Sequence, residues 1–152
     1  MTRISRIGAN MSELIYKEEC FRIVGACMEV HRELGKGHSE NIYKDALQLE
    51  FKAQGISFVR EHPYAVSYKG TVLPHSYFAD FMVLDKILLE AKAIEQLTDS
   101  HSKQVLNYLA ASKLSLGLLV NFGQDSLAWK RIVLSRQTVE QVDLKNFSRK
   151  FA

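Results

Sequence analysis

The residues from Leu114 to Phe122 form a nearly continuous apolar run, Leu-Ser-Leu-Gly-Leu-Leu-Val-Asn-Phe. A strand with one wet face alternates apolar and polar side chains, whereas a strand covered on both faces reads as an unbroken apolar stretch. The run is far shorter than the roughly 20 residues a membrane helix needs. It therefore predicts a strand buried between two layers, and the rest of the chain must supply those layers.

The order that emerges is helix, helix, three strands, helix, strand, strand. Ser12 to Leu34 reads as a long helix, with Leu14, Ile15, Phe21, Val24, Met28 and Val30 broadly on one side and Gly35 as its stop. Ser39 is a good N-cap for a second helix running to Gln54, with Gly55 as terminator. Ile42, Ala46 and Leu49, with Tyr43, Leu47 and Phe51 beside them, predict a broad buried stripe on it. Ile56 to Lys69 is strand-like but interrupted at Pro63, which makes its first part an edge or a bend. Lys69-Gly70 signals a turn, Thr71 to Val83 a second strand, and Lys86 to Ala93 a third. Thr98 or Asp99 caps a helix that ends near Ser112, and Leu127 to Leu134 is the last strand. A hairpin, then a helix, then a doubly covered strand imply an α/β fold with a mixed β-sheet flanked by helices.

The chain of 152 residues fits one domain with a real core. Residues 1–11 read as a flexible leader with Met11 as an internal candidate start, 12–135 as the domain, and 136–152 as a tail or short helix. The N-terminus lacks the apolar core of a signal peptide. Cys20 and Cys27 lie two helical turns apart, roughly 10 Å at 1.5 Å per residue, too far for a disulfide. A protein of the reducing cytoplasm, away from membranes, is expected. The net charge of +3 with pI near 8.8 suits a polyanionic partner, and equally suits simple solubility.

The third strand carries the densest chemistry. Along Ile87-Leu88-Leu89-Glu90-Ala91-Lys92-Ala93, the residues Ile87, Leu89, Ala91 and Ala93 face one way, and Glu90 and Lys92 share the other side with Leu88. If residues 84–86 are the hairpin loop, Val83 pairs with Ile87 and Asp80 lies opposite Glu90. Their Cβ atoms are then roughly 4.5–5.5 Å apart. Carboxylates that close need neutralising, and a hard, oxygen-ligated divalent cation does so. A solvated strand face with a cross-strand salt bridge is the other reading of the same residues, and a one-residue slip in register removes the pair altogether.

From Val30 to Val133 the chain resembles the GxxExxY family, a branch of the PD-(D/E)xK nuclease superfamily. The naming motif stands here as Gly37-His38-Ser39-Glu40-Asn41-Ile42-Tyr43, preceded by Val30-His31-Arg32-Glu33-Leu34-Gly35. The acidic strand matches Tyr77-Phe78-Ala79-Asp80-Phe81, and the E-x-K signature matches Glu90-Ala91-Lys92. Gln104-Val105-Leu106-Asn107-Tyr108 resembles the Q-x-x-x-Y motif of RecB-type nucleases, and Leu118-Leu119-Val120-Asn121-Phe122-Gly123 the family's late strand. The resemblance implies a restriction-endonuclease-like sheet. It implies that Asp80, Glu90, Glu40 and the carbonyl of Ala91 hold Mg²⁺ or Mn²⁺, that Lys92 is the catalytic lysine, and that Gln104, Tyr108 and Tyr43 look toward the site. Alanine stands where the superfamily name has proline, before Asp80. Lys36, His38 and Ser39 make the first loop more polar than is usual in the family.

A metal-dependent nuclease acting on DNA or RNA is the function so implied. A non-catalytic nucleic-acid-binding or assembly module on the same fold is the alternative. A structural subunit of a homo-oligomer is a third reading, favoured if the Glu90 face is buried in a subunit contact.

Overall fold

The computed structural model describes residues 15–135. The expected leader (1–11) and tail (136–152) lie outside the described residues. Helix α1 (Lys17–Leu34) leads through a Gly-containing turn to α2 (Glu40–Gln54). Strand β1 (Phe58–Tyr64) follows, then a two-stranded hairpin, β2 (Ser67–Tyr68) with β3 (Thr71–Val72). Next come β4 (Tyr77–Val83), β5 (Ile87–Lys92), α3 (Asp99–Ser112), β6 (Leu116–Asn121) and β7 (Ala128–Val133).

Five strands form one mixed sheet in the order β1-β4-β5-β6-β7. The β5–β6 pair is parallel and joined across α3, while the other neighbouring pairs are antiparallel. The apolar run does lie at the heart of the sheet. Every residue of β6 is buried, with Leu116, Leu118 and Val120 facing α1 and α2, and Leu119 facing α3. The same alternation splits β5, with Ile87, Leu89 and Ala91 in the larger core and Leu88 in the smaller one. Two layers of helix therefore cover the sheet, as the run required. A Cβ on Gly117 would lie 2.6 Å from Val105 Cγ1, so glycine there lets α3 approach closely.

Several expectations need correction. The first helix begins at Lys17, because Tyr16 is left-handed (φ 53°, ψ 38°) and Ile15 lies in the same turn, its carbonyl accepting from Arg131. The buried face of α1 is Cys20, Ile23, Val24, Ala26, Cys27 and Val30, and Phe21 (82% exposed) and Met28 (50%) stand outside it. On α2 the tight row is Tyr43, Leu47 and Phe51, with Lys44 buried beside it, whereas Ile42 and Leu49 are exposed. A row at i, i+4 and i+8 follows the helical repeat more closely than the wider stripe read from the apolar positions. The long second strand is divided. Lys69 (φ 49°) and Gly70 (φ 81°) close a separate small hairpin, since two consecutive positive φ angles make the tight turn that suits strand twist. Pro63 sits within β1 and does not interrupt it, which edge position permits.

A cluster behind the C-terminal end of β5 locks the parallel pair. The Tyr43 ring is fully buried and stacked on Phe122 at 4.6 Å, and its hydroxyl donates to the Gly35 carbonyl at 2.5 Å. The buried Asn121 uses both ends of its amide: Oδ1 accepts from the Ile94 and Gly123 N–H groups, and Nδ2 donates to the Ile94 carbonyl and to Gln124 Oε1. Phe122 N–H donates to the Lys92 carbonyl at 2.8 Å. The backbones meet so closely that a Cβ on Gly123 would lie 2.2 Å from the Ile94 carbonyl oxygen and 2.8 Å from Ala93 C. Because those contacts are backbone, no rotamer change relieves them. Gly123→Ala should therefore cost about 1–3 kcal/mol or more, read as a fall in the urea midpoint at unchanged slope. A variant as stable as the wild type would show that the 92–94 segment is not clamped there.

Candidate active site

The hairpin register is the one the site needs. Val83 pairs with Ile87, Met82 with Leu88 and Phe81 with Leu89, across Leu84 and Asp85 in left-handed conformations. Continued by one step, that register sets Asp80 opposite Glu90, but here the backbone ladder stops. The next bonds are made by side chains: Asp80 N–H donates to Glu90 Oε1 (3.3 Å), and Ala91 N–H donates to Asp80 Oδ2 (2.8 Å). The strands part at this level, and the two carboxylates occupy the gap. Both are nearly buried, at 9% and 5% exposed.

The strands change direction at the same place. Phe81 and Val83 join the core under α1 and α2, yet Ala79 joins the one under α3. Alternate residues of a regular strand share a face, so β4 turns over across Asp80. Opposite it in β1, Glu61 has φ 56° and breaks the ladder between the Arg60–Phe81 and His62–Ala79 pairs. A non-glycine residue at positive φ inside a strand is strained backbone of the kind found at functional sites.

Two carboxylates so close in a dry gap are a poor pair of anions. Burial, then the neighbouring Asp80 charge, pushes the Glu90 carboxyl up to about 9, and Lys92 partly opposes that. Asp80 is offset differently. Lys44 of α2, 8% exposed, donates to Asp80 Oδ1 and to Glu61 Oε1, both at 3.1 Å. Sequence reasoning missed Lys44 and Glu61. The available signal was that Lys44, Leu47 and Phe51 are i, i+3 and i+7, so a lysine occupies a position of the apolar row.

Lys92 lies on the α3 side of β5, half-buried, close enough to Glu90 to act on its charge. Lys92 bonds β6 through its carbonyl. By the strand's alternation, Ala91 turns its backbone groups to the β4 side, as its N–H bond to Asp80 shows, so its carbonyl is directed there too. From α3, the Tyr108 hydroxyl is raised by burial and then by the charges of Glu90 and Asp80, while a hydrogen bond with Gln104 pulls the other way. The Tyr108 ring stacks on Tyr77 at 3.8 Å, and Tyr77 donates to the Tyr108 carbonyl at 2.5 Å. Gln104 itself is exposed.

Glu40 and Tyr43 stand apart from this group. Glu40 is the first residue of α2, where a carboxylate meets the positive end of the helix dipole. Among the described residues, no three His, Cys, Asp or Glu side chains gather to hold a metal ion. Tyr43 is committed to Gly35 and Phe122, one element behind the site. The oxygen donors that border the gap are thus two carboxylates and, by the strand geometry, a backbone carbonyl. An oxygen-only set of that kind fits a hard divalent cation that keeps several waters. Among the described residues, no helix is long and apolar enough to cross a membrane.

No curated protein matches the chain. Among solved structures, the crystal structure of SSO0001 aligns with a TM-score of 0.51 at 20% identity, covering 71% of this chain and 57% of that one. The chain thus spans little more than half the length of that protein, and at this identity the likeness speaks for the fold alone. The family model of the PD-(D/E)XK nuclease superfamily matches residues 6–132, a span that contains the β4–β5 gap, Lys92 and α3. With the helical layers, the acidic pair and all but the last residue of the five-stranded sheet inside the matched span, the chain belongs to the PD-(D/E)XK nuclease superfamily.

Proposed function

We propose that this protein is a divalent-metal-dependent nuclease that hydrolyses phosphodiester bonds in DNA or RNA. The observation that carries the reading is the placement of Asp80 and Glu90 in one buried gap, with Ala91 and Lys92 of the same strand beside them. Asp80, Glu90 and the Ala91 carbonyl would hold Mg²⁺ or Mn²⁺. When bound, such an ion supplies Lewis acidity that activates water at neutral pH and offsets charge on the phosphate. Lys92 lies next to the pair and supplies a cation for the phosphate or a donor that orients water. Tyr108, stacked on Tyr77, lies on the α3 side within reach of the charges of both carboxylates. The Gly37–Tyr43 motif assigns the chain to the GxxExxY branch in this reading.

A non-catalytic nucleic-acid-binding module on the same fold is the second reading. The observation in its favour is Lys44, whose ammonium already sits against Asp80. Cleavage of single- and double-stranded DNA and RNA with Mn²⁺ separates the two. Asp80→Asn and Lys92→Ala should each lower the rate by about 10²-fold or more without loss of fold. Equal cleavage by wild type and variants, or none on any substrate, would remove the catalytic assignment.

Stability gives an independent check. Glu90 keeps its proton in the folded state up to about pH 9, whereas its unfolded counterpart loses it near the ordinary 4.5. Between those values the folded state binds more protons, so stability falls as pH rises. The cation-free protein should lose thermal stability from pH 5 toward pH 9, Glu90→Gln should flatten that slope, and Mn²⁺ should restore midpoints at the alkaline end. An identical slope in Glu90→Gln would assign the pH dependence to other groups.

A further inference from the structure

Lys44 is the one cation in contact with Asp80 among the described hydrogen bonds, and it is buried. Its ammonium bridges Asp80 on β4 and Glu61 on β1 at equal distances of 3.1 Å. The Asp80 carboxylate is thereby engaged on both oxygens, Oδ1 by Lys44 and Oδ2 by the Ala91 N–H. A divalent ion entering between Asp80 and Glu90 meets a fixed positive charge within hydrogen-bond distance of its own ligand. Like charges at that range, in a gap with little water, repel strongly. Glu61 offers the ammonium a second partner about which it can pivot. Its side chain is 49% exposed and so reaches solvent, and its left-handed backbone lies in the ladder at the level of Asp80.

Resting on the reading of the gap as a metal site, we infer that Lys44 is a tethered counter-cation: it holds Asp80 until a divalent ion arrives, competes with that ion, and withdraws onto Glu61 when the ion binds. The lysine keeps the carboxylates assembled without metal and sets how tightly metal is held. Lys44 is accordingly a positioning residue, acting through Asp80. A lysine that merely props up α2 would leave ion affinity unchanged when replaced by an apolar chain of similar length. A competing lysine makes affinity rise.

The test is Mn²⁺ binding to the full chain, followed by the electron paramagnetic resonance of the free ion, with no nucleic acid present. Lys44→Met should bind Mn²⁺ at least tenfold more tightly than wild type. Glu61→Gln, which removes the second carboxylate charge and leaves the ammonium only a neutral amide oxygen there, should bind it several-fold more weakly. Circular dichroism melts report whether each variant folds. If Lys44→Met does not, Glu61→Gln decides alone, and unchanged or tighter binding by it overturns the inference. Equal or weaker binding by folded Lys44→Met also overturns it, as does a tighter Lys44→Met with Glu61→Gln unchanged, since the withdrawal onto Glu61 is then lost. Asp80→Asn separates this failure from failure of the metal site. Wild-type binding that Asp80→Asn abolishes keeps the metal site whatever Lys44 does, while absence of binding in wild type and Lys44→Met alike removes both.

Discussion

Where β4 and β5 separate, two carboxylates take the hydrogen bonds that backbone carbonyls accept elsewhere in the ladder. Asp80 receives the Ala91 N–H and Glu90 receives the Asp80 N–H. The exchange keeps buried donors satisfied, which a folded interior demands. It also brings two acidic groups into one dry space, where neither is comfortable as an anion without a counter-charge. The raised Glu90, the Lys44 bridge and the nearby Lys92 all follow from that single arrangement.

The gap exists because the rest of the sheet is held tightly. On one side β5 runs parallel to β6 through the Lys92–Asn121 pair, so it stays in the sheet after β4 has left it. Asn121, Gly123 and the Tyr43–Phe122 stack fix that end from behind. His31 adds a bond from its Nε2 to the Gln124 carbonyl at 2.8 Å. The motif residues that surround the acidic pair in sequence are therefore of two kinds. Asp80, Glu90, Ala91 and Lys92 form the gap, whereas His31, Gly35, Tyr43, Asn121 and Gly123 brace the strand that carries Lys92. For Tyr43, the core-aromatic role and the motif are one fact: its ring packs and its hydroxyl closes the turn before α2.

The division of labour between the faces of the sheet has a chemical consequence. Helices α1 and α2 bury the larger core, and one residue of α2, Lys44, reaches the gap from that side. Helix α3 lies on the other side, where Tyr108 feels the charges of Glu90 and Asp80. The gap is bounded by both layers because β4 turns over at Asp80. A flat strand would have left the acid on one face, seen by one layer only.

Much of this was legible in the chain itself. The apolar run 114–122 required a doubly covered strand, period-two alternation gave the faces of β5, and the short 84–86 loop fixed the register that opposes Asp80 to Glu90. These are local properties, set by neighbours a few residues apart, so local pattern determines them. The left-handed Glu61, the reversal of β4, the partners of the buried Lys44 and the exposure of Phe21 and Met28 were not legible. Each depends on which surfaces meet after the layers close. A lysine within an apolar row has no partner in its own sequence neighbourhood. Its charge is met only when the helix lies across β1 and β4, and that contact is a property of the folded chain.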